Sequence, residues 1–183
     1  VAEHFDAAWA VDNDYRGSDI FRPSGSTPGH WLEWARLLLQ LWVSGGKRLA
    51  WLPEAAEKLF RNSVTLGWDH EKGGFYYTIN WDNSPRLRQK LWWPATEGIG
   101  AAHWLAAHND DPFFEDWYRR IWGFSAMHLI DHRHGGWHPE LGDDLKPQRG
   151  FFTGKPDIYH ALQACLIPLY PVTGSLTKAM AGE

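Results

Sequence analysis

The sequence predicts an all-α fold, and more specifically half of an (α/α)6 barrel, or toroid, built from about three helical hairpins with short β-hairpin loops. Three observations lead to this prediction. Loop segments of similar composition recur along the chain, an amphipathic helical segment precedes each later loop, and a more uniformly apolar helical segment follows each loop. A closed ring of six such hairpins needs about 380 residues at this repeat length. The 183 residues present therefore account for about half of a ring.

The repeat is clearest in two loops. Residues 73–76 and 135–138 share a Gly-Gly-aromatic pattern and lie roughly 62 residues apart. Glycine and aromatic residues followed by Asp and Pro predict a short hairpin or a long structured loop. A third, degraded copy begins at Val11, so that the three loops cover residues 11–23, 73–86 and 135–147.

The segments that follow the loops predict inner helices. Pro28, Pro94 and Pro156 lie near their starts, where the fixed φ of proline and its missing N–H are tolerated. The predicted inner helices cover residues 28–43, 91–107 and 156–169. Apolar residues at 3.6-residue spacing predict outer helices over residues 53–66 and 112–129, and residues 2–9 are predicted to end a further outer helix. We expect one domain over residues 1–183, the C-terminal half of a barrel, with residues 171–183 as a tail.

Composition excludes several classes of partner. The net charge of −4, without a basic run, argues against nucleic acid and against an anionic membrane surface. No apolar run reaches about 18 residues, so we expect no membrane span, and no secretory leader is visible. The single Cys165 excludes an internal disulfide and favours the cytoplasm. Because the chain starts at Val1 and holds three repeats, we expect either a fragment of a longer protein or a homo-oligomer of half barrels.

Polar residues at the starts of the inner helices are the candidate site. His30 and Glu33 lie three residues apart and share a helix face. Glu33, Glu97 and His160 are roughly 63 residues apart, so a repeat array directs them toward one cavity. Trp93 stands at the start of the middle inner helix. Each residue also has a structural interpretation: a histidine or glutamate can cap a helix, and tryptophan can fill a core.

Three motifs resemble the N-acylglucosamine 2-epimerase superfamily, and within it the bacterial mannose-isomerase-like aldose–ketose isomerases. They are Phe-Arg-Pro at 21–23 with Thr-Pro-Gly-His-Trp-Leu-Glu-Trp-Ala-Arg-Leu-Leu at 27–38, Lys-Leu-Trp-Trp-Pro-Ala-Thr-Glu at 90–97, and Lys-Pro-Asp-Ile-Tyr-His-Ala-Leu-Gln-Ala at 155–164. The resemblance implies an (α/α)6 barrel of which this chain is the C-terminal half. It also implies isomerisation of a monosaccharide without metal or nucleotide. The family's further Arg and His, from its N-terminal half, have no match here.

The resemblance also implies roles for individual residues. His30 and His160 would be the acid and base that act on an enediol intermediate. Glu33 would orient His30 or a sugar hydroxyl. Trp93 and Glu97 would contact the sugar, and Arg22 would contact a sugar oxygen. We therefore expect an aldose–ketose isomerase of the mannose–fructose type.

Three alternatives stay open from the sequence. A 2-epimerase acting on N-acylated sugars or disaccharides uses similar proton chemistry. Because the N-terminal half of the barrel has no match here, an inactive sugar-binding or assembly fragment is a second alternative. A glycoside hydrolase would use Glu33 and Glu97 as its two carboxylates. The loop with His132, His134 and His138 could suggest zinc, but it is turn-rich and lacks a spaced carboxylate or Cys. We therefore expect neither a metal nor a cofactor.

Overall fold

The computed structural model describes residues 1–182, and its helices follow the predicted order. The helices are α1 Pro28–Ser44, α2 Trp51–Asn62, α3 Trp92–Ala106, α4 Pro112–Phe124, α5 Ile158–Leu166 and α6 Leu176–Ala181. α2 and α4 each continue into one π-helical turn, Ser63–Gly67 and Ser125–Leu129, and a 3-10 turn, Ile167–Leu169, follows α5. The strands are β1 Thr78–Ile79, β2 Pro85–Leu87, β3 Lys90–Leu91 and β4 Glu140–Leu141.

The helices form two layers, which confirms the predicted half barrel. The inner layer contains α1, α3 and α5, and α3 packs against both of the others. The outer layer contains α2, which packs on α1, and α4, which packs on α3. We call this arrangement the half ring. Its core lies between the layers and includes the buried side chains of Leu32, Phe60, Ile99, Phe114 and Ile121.

Both ends of the half ring expose apolar side chains. On α1, Trp34, Leu37 and Leu41 follow the spacing of one helix face, and each is more than a third exposed. α5 and the 3-10 turn after it likewise expose apolar side chains, those of Ile158, Leu162 and Leu169. Such faces are typical of surfaces that are covered in a larger assembly. Within the described residues, no helix is both long enough and apolar enough to cross a bilayer.

Short strands join the loops to one another. β1 and β2 pair antiparallel, with Thr78 opposite Leu87, which confirms the hairpin predicted in the second loop. β3, just before α3, pairs antiparallel with β4 from the third loop. This second pair links neighbouring repeats and fixes the start of α3 relative to the loop that precedes α5.

The repeat is visible in the backbone as well as in the sequence. Isolated bridges Phe5↔Val11, Trp68↔Phe75 and Ile130↔Trp137 enclose three turns at equivalent places in successive repeats. In every one of these turns an aspartate side chain accepts hydrogen bonds from backbone N–H groups two to four residues later, and these aspartates are Asp6, Asp69 and Asp131. A turn satisfied in this way competes with helix.

The prediction of a helix end over residues 2–9 is therefore wrong. The structure has no helix over residues 2–9, and Asp6 accepts from the backbone N–H groups of Ala8 at 2.8 Å and Ala10 at 2.9 Å in a turn within this range. The turn is one residue shorter than its counterparts. Trp9 has φ of 62°, where the equivalent Gly73 has 86°. A side chain at such an angle costs roughly 1–2 kcal/mol, so this turn is less favourable than its glycine-containing counterpart.

The segment predicted as a tail packs on the half ring. Val172 and Leu176 contact the core, and the short helix α6 ends at Ala181, within the described residues. Gly174 lies directly against Ser44 at the end of α1. The C-terminal segment therefore closes over the ends of the helices that are remote from the loops.

Candidate active site

The starts of the three inner helices come together around one aromatic ring. His30 lies in the first turn of α1, Trp93 in the first turn of α3, and His160 in the first turn of α5. The Trp93 ring centroid is 5.1 Å from that of His30 and 6.2 Å from that of His160. The structure thus brings the two predicted imidazoles, which we call the histidine pair, close to the predicted tryptophan.

A carboxylate from outside α1 holds His30. Its Nδ1 lies 3.0 Å from Oε1 of Glu3, and the His30 side chain is 39% exposed. An ionised carboxylate only accepts hydrogen bonds, so Nδ1 carries a proton and the neutral ring keeps a free lone pair on Nε2. Burial lowers the pKa of His30, but the hydrogen bond and charge of Glu3 raise it more, with help from Glu33 and Glu97, so that the net pKa lies above the ordinary 6.5.

His160 has a carboxylate partner on its own helix. Its Nδ1 lies 3.2 Å and 3.3 Å from the two carboxylate oxygens of Asp157. The same side chain caps α5 by accepting from the His160 backbone N–H at 3.2 Å, so one residue starts the helix and orients the ring. The Nε2 atom lies 3.9 Å from Oε1 of Glu97, beyond hydrogen-bond distance.

Glu97 is fully buried and is fixed by the helices on both sides of α3. Nε of Arg36 on α1 donates to one of its oxygens at 2.7 Å, and the Gln163 amide on α5 donates to the other at 3.3 Å. Burial lowers the pKa of Arg36, but the charge and hydrogen bond of Glu97 outweigh burial and raise it. Arg36 also donates to Gln40 at 3.0 Å. Its Nη2 is buried and has no partner among the described residues.

The remaining two predicted residues are less engaged. Glu33 is half-buried one turn after His30 on α1, and its charge contributes to the raised pKa of His30. Glu3, and not Glu33, makes the contact with the His30 ring. Arg22 is exposed in the loop before α1, where its backbone N–H donates to the Ser18 carbonyl at 3.0 Å. Among the described residues, no hydrogen bond or ion pair joins the Arg22 side chain to the candidate site.

The histidine-rich loop does not gather into a ligand set. His132 Nε2 donates to the Ala126 carbonyl at 2.6 Å, whereas His134 Nδ1 lies 3.3 Å from Asp131. Asp131 is shared with Lys155, whose ammonium donates to the same oxygen at 2.5 Å. Across residues 1–182, no group of three or more His, Cys, Asp or Glu side chains is placed to hold a metal ion.

Four partners of the candidate site residues were not predicted from the sequence. Asp157 had a readable signal, because an aspartate three residues before a helical histidine is a common N-cap. Arg36 also had one, since a charged residue on an apolar helix face needs a buried partner. Gln163 lies one turn after His160 on the same helix face. Glu3 lies in an irregular segment and gave no sequence signal.

The half ring defines the chain as part of an α/α barrel, with its candidate site at the loop end of the inner helices. A family model described as N-acylglucosamine 2-epimerase (GlcNAc 2-epimerase) matches residues 1–164. The chain belongs to this family.

Similar proteins agree with this assignment. The chain is 42% identical over 190 residues to a D-mannose isomerase of Pseudomonas cannabina pv. alisalensis, an alignment that covers 100% of the chain and 46% of the relative. It is 41% identical over 186 residues to a D-mannose isomerase of Thermobifida fusca, an alignment that covers 99% of this chain and 46% of that relative. A crystal structure of D-mannose isomerase matches with a TM-score of 0.84 at 32% identity, covering 92% of this chain and 44% of that one. The chain thus spans less than half the length of these relatives.

Proposed function

We propose that the full chain is an aldose–ketose isomerase that interconverts mannose and fructose. The observation that carries this proposal is the histidine pair beside Trp93, with each Nδ1 near a carboxylate and each Nε2 free of a hydrogen bond to the described residues. The relatives named D-mannose isomerase support the choice of substrate.

The reaction needs two net proton shifts on the open-chain sugar, one from C2 to C1 and one from O2 to O1. A base removes the proton from C2 of mannose, the C–H electron pair forms the C1–C2 double bond of an enediol, and O1 gains a proton. A proton then returns to C1 while O2 loses its own, which leaves the ketose. A C–H beside a carbonyl is a weak acid and needs a placed base, and imidazole can take and return protons near neutral pH. In this proposal His30 and His160 supply these transfers without metal or nucleotide.

The other predicted residues bind the sugar in this proposal. Trp93 offers an aromatic face for the apolar side of the sugar ring. Glu97, fixed by Arg36, accepts a hydrogen bond from a sugar hydroxyl, and Glu33 does the same from α1. Arg22 contacts a sugar oxygen only if its loop moves toward the site.

A product assay tests the proposal. Purified full chain is incubated with D-mannose and the products are separated by sugar chromatography. Fructose is the expected product, and His30→Gln and His160→Gln should each lower kcat at least about 100-fold, since each removes an acid or base. Glu54→Gln in α2 is the matched control and should keep normal turnover. Glucose without ketose would replace the proposal by a 2-epimerase, and absence of any conversion would refute both.

We further propose a cytoplasmic protein without a nucleic-acid partner. The exposed free thiol of Cys165 favours a reducing compartment. The net charge of −4 disfavours binding to phosphate backbones. Fractionation of cells that express the tagged full chain tests the compartment.

A further inference from the structure

The carboxylate of Glu3 reaches the start of α1 from far upstream in the sequence. Its Oε1 lies 3.0 Å from Nδ1 of His30. The backbone N–H of Thr27 donates to Oε1 at 3.3 Å, and the Thr27 hydroxyl donates to Oε2 at 3.4 Å. Both oxygens are therefore used, and the side chain is only 17% exposed.

The segment that carries Glu3 is anchored on both sides of it. The next residue, His4, donates from Nε2 to the Pro23 carbonyl at 2.8 Å and stacks on Tyr15 with ring centroids 3.7 Å apart. On the other side, the Ser26 hydroxyl donates to the Val1 carbonyl at 3.3 Å. The carboxylate thus approaches His30 from a fixed direction.

The repeated scaffold does not require an acid at this position. The bridges that mark the three turns begin at Phe5, Trp68 and Ile130. Two residues before them stand Glu3, Leu66 and His128. Because the other repeats fold with leucine or histidine there, the carboxylate serves the one inner helix whose first turn carries His30.

We propose that Glu3 is a positioning residue for His30: it holds the ring with the proton on Nδ1 and leaves the Nε2 lone pair free for the substrate. The inference rests on the proposed role of His30. An ionised carboxylate selects this tautomer because it can only accept, and it stabilises the imidazolium that forms when Nε2 takes a proton. Asp157 makes the corresponding contact with His160, so both members of the histidine pair are presented in the same way.

The charges around His30 make the proposal measurable. Glu3 and Glu33 face it from the chain around α1, and Glu97 faces it from α3, where Arg36 neutralises much of its charge. Burial on its own lowers the pKa of His30, and Glu3 is the largest influence that raises it. Removing the charge of Glu3 should therefore lower the pKa of His30.

The test compares Glu3→Gln with the unaltered full chain. Long-range ¹H–¹⁵N NMR reports the tautomer and titration of each histidine. In Glu3→Gln we expect a lower His30 pKa, a mixture of neutral tautomers, and kcat for mannose reduced about 10- to 100-fold, as for other carboxylates that orient a functional imidazole. KM should stay within about threefold, because binding groups are untouched. Glu3→Asp should recover part of kcat, and Glu54→Gln should change nothing.

Several outcomes would overturn the inference. Unchanged His30 titration and kcat in a folded Glu3→Gln would reduce Glu3 to an anchor of the N-terminal segment. If Glu3→Gln fails to fold, Thr27→Val loosens the Glu3 carboxylate without removing it, and an unchanged His30 titration in that variant also refutes the inference. Failure of the proposed function is distinguishable: normal turnover in His30→Gln removes His30 from the mechanism, whereas an inactive His30→Gln beside a fully active Glu3→Gln refutes only the role of Glu3.

Discussion

Replacing Arg36 by Met should destabilise the protein by about 3 kcal/mol, since it leaves the Glu97 charge buried without its cation. The guanidinium is 2% exposed and the carboxylate 0%, and they meet at 2.7 Å. After the substitution, Glu97 retains only the Gln163 amide at 3.3 Å. Breaking buried pairs of this kind costs about 3–5 kcal/mol. We expect the lower end because Nη2 of Arg36 has no partner among the described residues, and its removal relieves part of the cost.

Urea denaturation followed by tryptophan fluorescence measures this change. With a slope of about 3 kcal/mol per M, the midpoint should fall by roughly 1 M. Glu115→Gln is the matched control, because its pair with Arg119 is exposed and should be worth less than about 1 kcal/mol. The double variant Arg36→Met/Glu97→Met should recover most of the loss, since both charges are gone. A single variant whose free energy of unfolding lies within about 0.5 kcal/mol of the unaltered protein, or a double variant no more stable than the single, would show that Arg36 does not stabilise the buried Glu97.

Three further predictions follow from the same structure. Lys90→Met should lower the free energy of unfolding, measured by urea denaturation, by about 3 kcal/mol, because the buried Asp69 loses an ammonium 3.0 Å away. An unchanged urea midpoint would contradict this prediction. Asp157→Asn keeps an N-cap but loses the charge beside His160, so kcat should fall about 10-fold while the melting temperature stays within a few degrees; normal kcat would count against the Asp157 contact. In a pH profile of kcat/KM, one limb should report His30 with a midpoint above 6.5, and a profile without a limb above 6.5 would contradict the raised pKa.

The repeat made most of the fold predictable from the sequence. The start of α1 at Pro28 and the start of α4 at Pro112 coincide with the predicted starts, since proline in the first helical turn is a strong signal. The helical period also identified the apolar face of α2 on which Ala56 and Phe60 are buried. Local patterns suffice here because each repeat is one supersecondary unit that packs on its neighbours.

The sequence did not predict features that depend on side-chain hydrogen bonds. Residues 2–9 resemble a helix end in composition, but the structure has a turn there, in which the Asp6 side chain accepts two backbone hydrogen bonds. Equivalent repeat positions predicted that Glu33, Glu97 and His160 converge, with His30 one turn from Glu33. They did not predict the partner of His30, because Glu3 lies in an irregular segment and reaches α1 only after the chain has folded back. Sequence spacing therefore predicted which candidate residues lie close together, and only the structure shows their hydrogen-bond partners.

The most direct test of proton transfer by the histidine pair is isomerisation in D₂O. The full chain is incubated with D-mannose in D₂O, and the fructose formed is examined by NMR for deuterium at C1. A base that takes the C2 proton can exchange it with solvent before returning it, so we expect deuterium at C1 and loss of fructose formation in His30→Gln and His160→Gln. Fructose free of deuterium, formed at an undiminished rate in both variants, would rule out proton transfer by the histidine pair.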